Sequence, residues 1–264
     1  MSKTELPDDR SADQWAGLRR LTPARIALGR AGVSVTTARH LDFQIAHAQA
    51  RTAVHSALDV DRLRQDLGTE GQDALQVCSQ APDRATYLQR PDLGRLLAPR
   101  TYEMLQSHRP DHQPDVAIVL ADGLSALATQ TSAPPFLAAL WPLIRAAGLS
   151  PAPLVIATQA RVAIGDEIAQ ALGARMALVL IGERPGLSAA DSLGLYLTWA
   201  PRVGSTDADR NCISNIRPGG LGADDAAHRA IYLLREAARL KLSGVDLKDR
   251  TETIAAPPAP GALS

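Results

Sequence analysis

The chain has 264 residues, 45% of them apolar but only 3% aromatic, and its 28 Lys plus Arg balance 28 Asp plus Glu. This length buries the core of one large domain or two small ones, and with so few aromatics that core must be built from Ala, Leu, Val and Ile. A net charge of zero argues against a nucleic acid or an anionic membrane as the main partner and favours association with another protein surface.

Met1 to Asp13 is polar with no apolar centre, unlike a secretory signal, and the first 20 residues are expected to form a mobile lead-in. Two glycines and two arginines between Thr22 and Gly32 suggest an anion-binding turn only weakly, because nothing places a strand and helix around it as a P-loop requires. Thr36 and Thr37 are suitable caps for a helix to about Leu58, with Leu41, Ile45 and Val54 as its apolar stripe. His40, His47 and His55 fall on one face of it, but separations of seven and eight residues put them ~10 Å or more apart. That is too far to hold one metal, so they read as partly buried or interfacial. Asp59 to Gln76 reads as mixed and helical. Tyr87 to Leu97 reads as an extended arm, a turn at Arg90-Pro91-Asp92 and a helix start, since Pro91 biases Arg90 out of the helical region.

From Pro114 a strand–helix rhythm begins. Val116 to Leu120 is a buried-strand candidate followed by Asp122-Gly123-Leu124-Ser125, and Ala126 to Ala139 is mostly helical, to be broken or kinked by Pro134, Pro135 and Pro142. The apolar stretch from Pro134 to Gly148 is interrupted by Pro142 and Arg145, so it does not suit a membrane span. Leu154 to Ala157 is the next strand, leading through Thr158 to Val162 into a short helix with Gly165 and Asp166 near its start and Gly173 at its C-cap. Ala177 to Ile181 is a third strand, turned by Gly182, Pro185 and Gly186 with Glu183 and Arg184 at the apex. Ser188 to Asp191 resembles a capping box opening another short helix, and Leu195 to Trp199 is a fourth strand. Asp224 to about Ser243 is an amphipathic helix, acidic at its start and basic near its end. The Pro- and Ala-rich tail from Thr251 is expected to be disordered.

This order predicts an α/β fold, a Rossmann-like, mostly parallel sheet over residues 111–250, preceded by a helical N-terminal region within 1–110 and followed by a tail at 251–264. Cys78 and Cys212 lie far apart in no metal-like spacing, which favours a reducing cytoplasm over a disulfide framework. No nucleophile elbow, Walker loop, dinucleotide fingerprint or metal-binding His/Cys pattern is present. Of the strand-end carboxylates, Asp122 and Glu183, neither has an acid/base mate nearby in sequence. A binding or accessory subunit is therefore favoured over a self-sufficient enzyme. The competing readings are a free-standing α/β transferase or nucleotide-binding enzyme using those two carboxylates, and a scaffold whose strand-end residues only hold turns.

Three segments in one order, Tyr87 to Arg95 (YLQRPDLGR), Gly182 to Leu187 (GERPGL) and Asp209 to Ile216 (DRNCISNI), resemble the small (light) subunit of ethanolamine ammonia-lyase. Asp122 to Ser125 and Ala160 to Val162 fit as well, and the resemblance runs from about Thr22 to Asp249. It implies a partner, the large TIM-barrel subunit, in a hexamer of heterodimers. That complex converts ethanolamine to acetaldehyde and ammonia with adenosylcobalamin, the large subunit holding the substrate and the small one covering the cobalamin. Carried over position by position, the implied cobalamin contacts are Val162, Glu183 and Cys212. Glu183 is expected to accept from corrin amides, and Val162 and Cys212 to offer backbone groups and apolar contact. Arg161, Arg184 and Ser214 are second-tier residues for the nucleotide tail. Two departures stand out. Leu96 follows Arg95 where the family commonly has a second arginine. The lead-in is also short, without a clear amphipathic helix, beside the longer extension that sends some members to a bacterial microcompartment, so packaging there is not expected. There is no Asp-x-His-x-x-Gly motif to give cobalt a histidine, which implies a cobalamin that keeps its own base.

Overall fold

The structure, a computed structural model, describes residues 16–249 apart from Pro23 and Ala31; the expected lead-in before residue 16 and the tail from Thr251 lie outside the described residues. In chain order the elements are α1 (Ala16–Arg19), α2 (Thr37–His55), α3 (Val60–Asp66), α4 (Thr69–Gln72), β1 (Leu75–Cys78), α5 (Arg84–Gln89), α6 (Pro99–Ser107), β2 (Val116–Ala121), α7 (Ala126–Ala146), β3 (Val155–Thr158), α8 (Ile164–Leu172), β4 (Met176–Gly182), β5 (Leu193–Trp199), β6 (Arg210–Ile216) and α9 (Ala223–Leu240). The strands form one sheet ordered β1-β3-β2-β4-β5-β6. Strands β1 to β4 pair in parallel, whereas β5 runs antiparallel to β4 and β6 antiparallel to β5. The fold is mixed α/β on a mostly parallel sheet.

All six residues of β2 are buried, as a strand covered on both faces requires. Val116, Ile118 and Leu120 point into a core shared with Phe136, Leu140 and Leu233 of α7 and α9. The smaller Ala117, Val119 and Ala121 point the other way, toward Leu105 of α6 and Ile164 and Ile168 of α8. Each large side chain so buried contributes about 1.5–3 kcal/mol. No helix among the described residues is long and apolar enough to cross a membrane.

Several local expectations are corrected. Leu75 and Gln76, read as the end of a helical stretch, begin the strand Leu75–Cys78: Leu75 and Val77 turn inward, Gln76 and Cys78 outward, and the backbone pairs with Val155 to Thr158 at the sheet edge. The Tyr87 segment is not an extended arm but a helical turn, α5, capped by the Asp83 carboxylate accepting from Thr86 N at 2.8 Å. Helix α7 runs unbroken through Pro134, Pro135 and Pro142. A proline inside a helix costs about 3 kcal/mol, and the burial of Phe136, Leu137, Leu140 and Ile144 against the sheet offsets it. No helix forms at Ser188 to Asp191. Ser125 Oγ donates to Ala190 O (2.7 Å) and Ser132 Oγ to Asp191 O (3.4 Å), tying this loop to α7. Without a helix the loop is too short for a parallel crossover, which needs about a dozen residues or more, so β5 returns as a hairpin. On α2 the expected stripe is not the buried side, although Val54 is half-buried. Leu41 and Ile45 are exposed, Ala46 and Ala53 form the buried side, and His40, His47 and His55 are exposed rather than partly buried.

Candidate functional site

Helices α6 and α8 cover one face of the sheet over β1 to β4, and α7 and α9 cover the opposite face as far as β6. On β5 and β6 the alternate residues Leu193, Leu195, Leu197, Ile213 and Ile216 sit in the α9 core, while Tyr196 is half-buried and Cys212 and Ser214 are exposed on the uncovered side. This uncovered face adjoins the carboxyl ends of β2, β3 and β4, where ligands meet open α/β sheets.

Three loops shape that rim. After β2, Asp122 is 2% exposed and accepts from Gln159 N and Ala160 N at 2.9 Å each and from Arg84 Nη1 at 3.4 Å. Burial raises its carboxyl above the usual range, partly countered by those donors. Gly123 (φ +57°) turns the chain there, and a Cβ on Gly182 would lie 1.9 Å from Ser125 O, so the β2 and β4 loops meet backbone to backbone. After β3, the Asp122 carboxylate fixes Gln159 and Ala160, Tyr87 Oη donates to Ala160 O (3.0 Å), and Arg161 N donates to Gly94 O (2.7 Å). Tyr87 is fully buried between two guanidinium groups, Arg84 at 4.7 Å and Arg161 at 4.4 Å from its ring centroid, each a cation–π contact. After β4, Glu183 N donates to Ser192 O (2.9 Å), closing the hairpin.

Between these loops lies a cavity of about 420 Å³ lined by Tyr87, Gly123, Leu124, Arg161, Val162, Ile181, Gly182, Glu183, Arg184 and Tyr196. Val162 and Arg161 also border a second cavity of about 640 Å³, whose wall includes Arg95, Leu96, Glu167, Thr206 and Asp207. Glu183 is half-buried; its Oε2 accepts from Ser192 Oγ (2.5 Å) and Asn215 N (3.3 Å), while its Oε1 takes no hydrogen bond among the described residues. Gly194 opposite makes room for it, since a Cβ there would lie 2.9 Å from Oε1. Arg161 Nε is buried without a partner, and Arg184 pairs with no acid among the described residues. A half-free carboxylate, an orphaned guanidinium N–H and an apolar Val162 wall suit a ligand bearing amides more than a single charge. Cys212 is a mid-strand residue rather than part of a rim loop. It pairs with Tyr196 across β5 and β6, and its Sγ lies 3.5 Å from Ser214 Oγ. Burial pushes the Tyr196 phenol above its ordinary range, with Cys212 and Glu183 adding to the shift. Tyr196 thus links the Glu183 cavity to Cys212.

Beneath the second cavity Arg210 and Asp166 form a bidentate pair, Nη1 to Oδ1 at 2.8 Å and Nη2 to Oδ2 at 2.6 Å, with side chains 2% and 1% exposed. Arg210 also donates to Thr198 Oγ1 (2.7 Å) and Ser205 O (3.1 Å). The pair ties the first turn of α8, just after Val162, to the start of β6, two residues before Cys212.

The ethanolamine ammonia-lyase light chain (EutC) family model matches residues 12–248. The chain belongs to the ethanolamine ammonia-lyase light-chain family. Proteins named ethanolamine ammonia-lyase small subunit are similar to it over most of their length. The one from Azotobacter vinelandii is 58% identical over 240 residues, 90% of this chain and 89% of the relative. Those from Pseudomonas paraeruginosa and Ralstonia nicotianae are 56% and 54% identical, each covering 93% of the relative and 96% and 95% of this chain.

Within this light-chain fold, Val162 and Glu183 share one cavity wall and Cys212 sits on the adjoining sheet face. Arg161 and Arg184 line the same cavity as Glu183, and Ser214 neighbours Cys212. Asp122 lines neither cavity and spends its oxygens on the β3 loop, which removes it as the partner of Glu183 in a two-carboxylate active site. Sequence reading missed Tyr196, the Tyr87 clamp and the Arg210–Asp166 pair. A tyrosine within the run of leucines from Leu193 to Leu197 was the available signal for the first. A pair 44 residues apart has none.

Proposed function

We propose that this light chain works as the cobalamin-covering small subunit of an adenosylcobalamin-dependent ethanolamine ammonia-lyase, which turns ethanolamine into acetaldehyde and ammonia. Val162, Glu183 and Cys212 contribute to a cobalamin pocket completed by the large subunit, in a cytoplasmic hexamer of heterodimers. What carries this reading is the convergence of Val162, Glu183, Arg161 and Arg184 on one cavity beside the uncovered face that bears Cys212. When bound, adenosylcobalamin supplies the radical chemistry. This chain's part is to bind and orient: Glu183 Oε1 accepts an amide N–H, Val162 and Tyr196 give apolar contact, and the strand edge beside Cys212 offers backbone groups. Arg161 and Arg184 are placed for acceptor oxygens of the nucleotide tail, including its phosphate. In a semi-buried cleft each charge-assisted bond contributes ~1.5–3 kcal/mol.

The test is co-expression with the large subunit. The two chains are expected to co-purify and to release ammonia from ethanolamine only with adenosylcobalamin present, whereas this chain alone is inactive. Turnover by the isolated chain, or a complex indifferent to cobalamin, would refute the proposal.

A further inference from the structure

Glu183 faces Ser192 across the β4–β5 hairpin, with Gly194 two residues further along β5. Ser192, 6% exposed, donates its Oγ proton to Glu183 Oε2 (2.5 Å), and Asn215 N donates to the same oxygen from β6 (3.3 Å). A bulge in β6 aims that second donor. Leu195 pairs with Ile213 but Leu193 with Ile216, so Ser214 and Asn215 together face the single residue Gly194. Asn215 holds a left-handed backbone (φ +62°) that non-glycine residues seldom adopt. It is fixed from its other side as well. Leu221 N donates to Asn215 O and Arg217 Nε to Asn215 Oδ1, each at 2.8 Å, and Arg217 Nη1 lies 3.8 Å from the carboxylate of Asp191, the neighbour of Ser192. Gly194 completes the setting: a Cβ there would meet three atoms of Glu183 first, at 2.9 to 3.3 Å.

We infer that Ser192 and Gly194 are positioning residues for Glu183, and that the bulge at Asn215 supplies the second donor. Both donors hold Oε2, which sets the rotation of the carboxylate and leaves Oε1 as its acceptor for a ligand. Gly194 keeps open the space in which the carboxylate lies. A glutamate at a strand end otherwise samples several rotamers, and ordering it on binding costs conformational entropy. Here two hydrogen bonds from separate strands impose that order in the chain before any ligand arrives. A left-handed non-glycine residue persists only where its surroundings over-determine it, and such residues cluster at ligand sites. The inference rests on the reading of Glu183 as a cobalamin contact and adds what holds that contact in place.

Ser192→Ala removes one donor, whereas Gly194→Ala removes none and pushes the carboxylate aside. Each is made alone and combined with Glu183→Ala, in the chain co-expressed with the large subunit, and adenosylcobalamin affinity is read by absorbance titration of the complex. Each single change is expected to weaken binding by about two- to twelvefold, the net worth of one hydrogen bond. In the Glu183→Ala background neither should weaken it further, because the group they position is gone. A loss of equal size in both backgrounds would show that Ser192 and Gly194 only hold the hairpin, and would overturn the inference. So would wild-type affinity in both single variants while Glu183→Ala still loses it. Wild-type affinity in Glu183→Ala itself would instead refute the cobalamin reading of Glu183, and the inference would fall with it.

Discussion

Replacing Arg210 by Met leaves the Asp166 carboxylate, 1% exposed, without its two charged donors at 2.6 and 2.8 Å. Breaking one side of a buried ion pair costs about 3–5 kcal/mol, because the surviving charge is neither solvated nor neutralised. Asp166 lies in the first turn of α8, where the helix dipole returns about 0.3–1 kcal/mol, so the lower part of that range is expected. At about 2–4 °C per kcal/mol for a chain of this size, the melting temperature should fall by roughly 6–15 °C. Asp166→Leu should cost a similar amount by stranding the guanidinium. Arg210→Met/Asp166→Leu should cost less than either single change, since an apolar pair needs no solvation. Urea unfolding of the four proteins gives the coupling energy as a double-mutant cycle. Additive single effects, or a cost under about 1 kcal/mol for Arg210→Met, would refute the view that this pair clamps α8 to β6.

Glu183→Ala should weaken cobalamin retention in the complex by about 10- to 150-fold, the ~1.5–3 kcal/mol of a charge-assisted hydrogen bond, read by equilibrium binding. Because Oε2 also holds Ser192 and Asn215, a smaller loss of stability in the isolated chain should accompany it. Ser125→Ala removes both the cap on Ala128 N (3.2 Å) and the bond to Ala190 O, and should cost about 1–2 kcal/mol in denaturant unfolding. For Asp122, burial sets the folded pKa above the unfolded 3.8, so the native state binds the proton more tightly. Stability of the wild type relative to Asp122→Asn should therefore fall as pH rises from 3.8 to the folded value and stay level above it. A difference that instead grows with pH in urea titrations would show that the Arg84 contact outweighs desolvation.

The amino-acid sequence by itself determined the buried strands and their class. Val116 to Leu120 and Ala177 to Ile181 are unbroken apolar runs, and such a run is stable only with a helix on each face, so α/β layering follows from local pattern. Through short motifs that resemble a known family it also offered Val162, Glu183 and Cys212 as candidate contacts. The tertiary structure alone decided the direction of β5, because Ser125 and Ser132 of a distant helix take the carbonyls that a Ser188–Asp191 helix would need. It alone carried α7 through three prolines, since the compensating burial lies on the sheet and not in the helix. Likewise Leu41 and Ile45 have the spacing of a core stripe, yet they face outward while Ala46 and Ala53 take the buried side of α2. Periodicity tells which side chains share a face; only the packed neighbours decide which face is buried.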